Sequence, residues 1–105
     1  MTFTKRANEI FNQAIADYHL TDNIDTPINN PYKRDSIEHQ LYTKCWIDTV
    51  QWHLEDIIRD PAIDPLAALQ LKRRIDSSNQ DRTDLVENID SHFRNVYSNV
   101  KVQPE

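Results

Sequence analysis

Asp60-Pro61-Ala62-Ile63-Asp64-Pro65 is the stretch that decides this fold. Pro61 disfavours helix in the residue before it, and Asp64 followed by Pro65 gives an N-cap and a first helical position. The break from Pro61 to Asp64 is short enough to force the helices on either side into an antiparallel hairpin. Upstream, Asp35 with Glu38 three residues later reads as a capping box, opening a helix over 36–60. Downstream, nothing stops a helix from Pro65 to about residue 98. A first helix is expected over 4–19, where Ala7, Ile10, Phe11, Ala14, Ile15 and Tyr18 recur at three and four residues. Between them, 19–35 is a loop rich in Asn, Asp and Thr with Pro27 and Pro31, and Ile24 and Ile28 within it predict an ordered, packed segment. The expected architecture is all-α: one helical domain over 1–105, a three-helix antiparallel bundle completed by oligomerisation, with a frayed tail at 101–105.

Composition narrows the function. The 105 residues include no glycine, which removes the phosphate-cradling and dinucleotide-binding loops that need it for positive φ or close backbone approach. Seventeen acidic and twelve basic side chains give a formal net charge of −5. With no concentrated cationic surface, nucleic acid is not an expected partner. The single cysteine, Cys45, points to a reducing compartment. No apolar signal run or 18-residue apolar span is present, so a cytoplasmic location without membrane contact is expected.

At 100° per residue, the second helix divides into three faces. Trp46, Ile47, Val50, Leu54, Ile57 and Ile58 form a core face. Thr49, His53, Asp56 and Asp60 line one flank. Leu41, Cys45 and Trp52 lie nearly opposite the core face and form a candidate interface for a second copy or a protein partner. The third helix carries Ala68, Leu71, Ile75, Val86, Ile89, Phe93, Val96 and Tyr97 as its stripe, with Arg73, Arg74, Asp81 and Glu87 outside. Asn79 and Arg82 fall on that stripe. They are expected to be buried and bonded to first- or second-helix groups as a clasp that fixes register, because an unpaired buried polar group costs several kcal/mol. An anion pocket is the functional counterpart.

Several constellations could carry chemistry. His53, Asp56 and Asp60 could bind a divalent metal, though a His beside a core face more commonly donates to a neighbouring carboxylate. Glu55 and Arg59 read as a solvated i, i+4 pair. Cys45 has no convincing base beside it. Glu55, Asp56, Glu87 and Asp90 invite comparison with all-helical nucleotide pyrophosphohydrolases, which hold Mg²⁺ on Glu-Glu-x-x-Glu and Glu-x-x-Asp runs. Asp60 stands five residues after Glu55, which departs from that spacing. In a hairpin where position i faces about 125 − i, Asp56 and Glu87 are roughly 27 Å apart along the axis, so only an antiparallel dimer could unite them. The same register puts Asn79 and Arg82 near Thr43 and Trp46, where Arg82 could stack on the indole, be clasped by Asp48 or Asp84, or receive an anionic ligand, and it pairs Lys72 with Asp56.

From Trp46 to Asp90 the chain resembles a family of uncharacterised bacterial all-helical proteins, a domain of unknown function. The shared residues are Trp52-His53-x-Glu55-Asp56 with Arg59, Arg73-Arg74-Ile75-Asp76, Asn79-Gln80-x-Arg82, Asp84, Glu87 and Ile89-Asp90. Asn29-Asn30-Pro31-Tyr32 and Asp17-Tyr18-His19 are similar to the N-terminal part of one branch. Thr83 departs from the usual Asn, and the resemblance covers the N-terminal half of a family whose members are about twice as long. It implies that His53, Glu55, Asp56, Asn79, Gln80, Arg82, Asp84 and Glu87 belong to one shared, ligand-binding feature, and it implies no established activity. Lacking a nucleophile–base pair and a closed metal site, the chain is expected to be a non-catalytic interaction or assembly module with no cofactor. The alternative is an Mg²⁺-dependent hydrolase with its carboxylates across a dimer.

Overall fold

The computed structural model describes residues 2–101, with side chains to residue 96. Three helices account for its regular structure, and no strand occurs among the described residues. Helix α1 spans Phe3–His19, α2 Ile37–Ile58 and α3 Pro65–Lys101. Thr2 caps α1 by accepting from Lys5 N–H, and the Asp64 carboxylate caps α3 by accepting from Ala67 N–H at 3.1 Å. At α2 the cap is Ser36, whose hydroxyl accepts from His39 N–H at 3.1 Å. The Asp35–Glu38 box does not form, because Asp35 adopts a left-handed conformation with φ 71. The expected tail beyond residue 101 lies outside the described residues.

α2 is the central element, with α1 and α3 both packed on it. Helices α2 and α3 form the expected antiparallel hairpin: Gln51 bonds Asn79, and Asp48 bonds Arg82. Position i therefore faces about 130 − i, a shift of five from the symmetric turn, and the first two turns of α3 overhang the end of α2. Leu66, 64 % exposed, sits on that overhang.

The direction of α1 departs from an antiparallel bundle. The Cys45 thiol donates to Phe11 C=O, and further along both helices Tyr18 stacks on His53. Seven residues along α1 thus match eight along α2, so the two run in the same direction. The segment 20–36 is then a return path along α2, not a turn. Its 17 residues can span over 50 Å when extended, whereas α2 is about 33 Å long. Pro27 and Pro31 keep it from coiling. Arg74 pins its start by donating to Ile24 C=O and to the Asp25 carboxylate at 2.6 Å. Asn30 pins its end, donating to His39 C=O at 2.9 Å and Thr43 Oγ1 at 3.0 Å.

The core lies between α1 and α2: Ala7, Ile10, Ala14, Tyr18, Leu41, Tyr42 and Trp46 are buried together, and Leu54 is fully buried further along α2. Leu41 is 6 % exposed and half-buried Cys45 packs beside it. These two residues do not form an uncovered interface strip, because a parallel α1 covers them; Trp52 alone remains outside, at 66 % exposure. Ile57 leaves the expected core face for the surface.

Candidate functional site

Two polar groupings flank α2. One is the α2–α3 clasp. The Arg82 Nε–H donates to Asp48 Oδ1 at 2.6 Å, and Lys44 donates to Asp48 Oδ2 at 2.7 Å. Gln51 Nε2 donates to Asn79 Oδ1 at 2.8 Å while its carbonyl accepts from the Ser78 hydroxyl at 3.2 Å. The partners come from α2 as the clasp requires, yet Asn79 is exposed and the Arg82 side chain is 46 % exposed. Burial was the wrong expectation for both. α3 is rotated so that Leu71, Arg74, Ile75, Ser78, Leu85 and Ile89 face inward, half-buried, while Val86 turns out to 39 % exposure. Arg74, assigned to the outer face, causes part of this rotation by reaching inward to the return segment.

The other grouping is at the C-terminal ends of α1 and α2. His19 closes α1, and the chain folds back through Asp22, whose N–H donates to Tyr18 C=O at 2.9 Å with φ 49. That places Asp22 Oδ1 3.5 Å from His19 Nδ1. His53 arrives from α2, its ring stacked on Tyr18 at 5.0 Å and edge-on to His19 at 6.0 Å. One donor atom from each of His19, Asp22 and His53 lies within 4.8 Å of the other two. Asp22 and His53 line a hollow of about 530 Å³ with Asp56, Asp60, Tyr18, Asn23 and Ile57, while His19 lines a neighbouring hollow with His53, Asp56 and Trp52. Burial, then the nearby Asp22 charge, raises the Tyr18 hydroxyl above its ordinary range, so it stays protonated at neutral pH.

The residues of the expected shared feature are therefore divided. His53 and Asp56 join the end cluster, Asn79 and Arg82 the clasp. Gln80 bonds Asp84 one turn on, at 3.0 Å, on the exposed side of α3. Glu55 is half-buried and Glu87 exposed. In the observed register Asp56 faces about residue 74, so Glu87 and Asp90 lie some 20 Å or more further along. Glu55, Asp56, Glu87 and Asp90 cannot hold one metal within a chain. The Lys72–Asp56 bridge does not form; Lys72 approaches Asp76 at 4.0 Å, and Arg59 approaches Asp56 at 3.4 Å. The sequence reading missed His19 and Asp22. The available signal was a repeated tetrapeptide, His19-Leu20-Thr21-Asp22 and His53-Leu54-Glu55-Asp56, which puts a His and an Asp on one side of each helix end.

This architecture defines an all-helical protein built on one central helix, with no helix among the described residues long and apolar enough to cross a membrane. The chain belongs to the family described as protein of unknown function (DUF4254), whose model matches residues 38–105 and so takes in nearly all of α2 and all of α3. α1 and the return segment lie outside that match. No curated protein and no solved structure matches the chain.

Proposed function

We propose that this chain is a non-catalytic helical assembly module that pairs with a second copy of itself. The observation behind this reading is its surface. A compact monomer of 12.4 kDa exposes roughly 6,100 Å², whereas this chain exposes 7695 Å². The excess of about 1,600 Å² per chain is the amount an obligate homodimer buries. The shape agrees: the radius of gyration is 17.0 Å against about 13 Å for a compact chain of this length. No described side chain of α3 is fully buried.

The flank that would receive the second copy carries the clasp. Trp52 stands one turn after Asp48 on α2, and Val86 one turn after Arg82 on α3, so apolar groups border the Asp48–Arg82 pair on both sides. A second α2–α3 hairpin laid there completes a four-helix arrangement. Charge favours an antiparallel pairing of the two α3 helices. Lys72, Arg73 and Arg74 make the first half of α3 basic and Asp81, Asp84, Glu87 and Asp90 make the second half acidic, so an antiparallel pairing sets unlike charges against each other.

Light scattering coupled to size exclusion tests this directly. The expected mass is twice 12.4 kDa at micromolar concentration, falling to the monomer mass in Trp52→Glu with helicity retained. A monomer at ~100 µM, or a dimer indifferent to Trp52→Glu and Val86→Glu alike, would overturn the reading.

A further inference from the structure

We propose that His19, Asp22 and His53 bind a divalent transition-metal ion of the zinc class. The donor set comes from two helices and the turn after the first: the last residue of α1, the left-handed residue three positions on, and a residue in the last two turns of α2. Ligands of a tetrahedral zinc ion at about 2.05 Å lie about 3.3 Å apart. The His19 Nδ1–Asp22 Oδ1 separation of 3.5 Å already has that spacing. All three donors fall within 4.8 Å, so the set closes on an ion through a side-chain movement of about 1.5 Å. His19 and Asp22 are exposed and free to make it.

His53 supplies the fixed ligand. Its ring lies nearly parallel to that of Tyr18, at 17°, and Tyr18 is held in the core at 1 % exposure. One imidazole is thereby oriented before any ion arrives, which lowers the entropy cost of assembling the site. Asp56 and Asp60 on the same hollow can accept the ring N–H that does not face the ion, the usual outer support of a metal-bound His. Three carboxylates around one hollow also repel each other until a cation enters.

The donor chemistry selects the ion. Two imidazoles and one carboxylate suit Zn²⁺, Co²⁺ or Ni²⁺, while Mg²⁺ and Ca²⁺ require an oxygen set. Three protein ligands leave a fourth position open to water or an anionic group.

The test is titration of the full chain with Zn²⁺ by calorimetry and with Co²⁺ by visible absorption, alongside NMR of the four histidine rings. The expected result is one ion per chain, with His19 and His53 ring signals moving and those of His39 and His92 unmoved. A hundredfold excess of Mg²⁺ should not compete. His19→Gln and Asp22→Asn, both at exposed positions, should each weaken binding at least about tenfold, and His53→Gln should do the same with its helicity checked. Unsaturable binding up to millimolar zinc would overturn the proposal. So would an affinity unchanged by His19→Gln and Asp22→Asn, or ring shifts confined to His39 and His92. Each variant is measured also in the Val86→Glu background, so that loss of pairing and loss of metal are read separately.

Discussion

Replacing Tyr42 by Phe removes one oxygen from the most enclosed polar contact between α1 and α2. Tyr42 is fully buried, and its hydroxyl donates to Asp17 Oδ2 at 2.7 Å. The ring packs against Trp46 at 6.2 Å and Tyr32 at 5.9 Å, contacts that Phe keeps. The loss is therefore one hydrogen bond to a charged acceptor, worth about 1.5–3 kcal/mol. Asp17 is half-buried and still accepts from Gln13 at 2.9 Å, so water can replace the hydroxyl and the lower end, about 1.5 kcal/mol, applies. At this chain length that corresponds to roughly 6–12 °C in Tm. Alkaline pH supplies a second readout. Burial first, then the bond to Asp17, raises the folded Tyr42 hydroxyl well above its ordinary value of 10.0. The unfolded chain thus loses this proton first. The stabilisation is complete below pH 10 and is lost as pH rises through 10 towards the folded value, at up to about 1.4 kcal/mol per pH unit. Tyr18 and Cys45 are shifted in the same direction, so Tyr42→Phe should reduce the alkaline slope without abolishing it. Urea unfolding followed by circular dichroism, at one protein concentration between pH 7 and 10.5, measures both effects. A variant with the wild-type slope, or with unchanged stability at pH 7, would refute the reasoning.

Arg82→Ala should cost no more than about 1 kcal/mol to the fold, because Arg82 and Asp48 are both more than a third exposed and water screens the pair; a double-mutant cycle with Asp48→Ala giving a coupling above ~2 kcal/mol would contradict this. Leu54→Ala, at a fully buried α2 position, should cost about 2–5 kcal/mol in chemical denaturation, and a loss below ~1 kcal/mol would show that the α2 core is misplaced. Burial pushes the Cys45 thiol up, and it donates to Phe11 C=O at 3.5 Å. A disulfide reagent at pH 8 should therefore modify it only as fast as α1 separates from α2; reaction at the rate of a free thiol would place α1 elsewhere.

What the sequence could disclose depends on how local the determining forces are. The hairpin was legible because Pro61, Asp64 and Pro65 act within a few residues, and the Asp64 cap forms as that spacing requires. Helix faces were legible only to within about one residue. Val86 and Leu85 are adjacent in sequence and 100° apart, and the turn facing α2 was settled by Arg74, whose partners lie about 50 residues away at Ile24 and Asp25. No periodicity within α3 contains that contact. The direction of α1 was likewise beyond local reading. A 17-residue connection is long enough either to turn or to return along α2, and the choice rests on Asn30 finding His39 and Thr43.

The end cluster shows the same limit at the level of chemistry. His53, Asp56 and Asp60 read as an incomplete set because one helix face supplies too few ligands. Completion comes from α1 instead, through the change of direction that the antiparallel expectation excluded. In an antiparallel bundle His19 and Asp22 would stand near the beginning of α2, about 24 Å from His53. Running α1 parallel to α2 brings the two His-Leu-x-Asp tetrapeptides to one end, where His19 meets His53 at 6.0 Å between ring centres. The ligand set is thus a consequence of topology. It follows that lengthening or shortening the return segment at exposed Asn29 should leave the helices intact while loosening the register of α1. Zinc affinity should then fall further than helicity does. Equal loss of both would mean that the site is no more sensitive to the path of α1 than the rest of the fold.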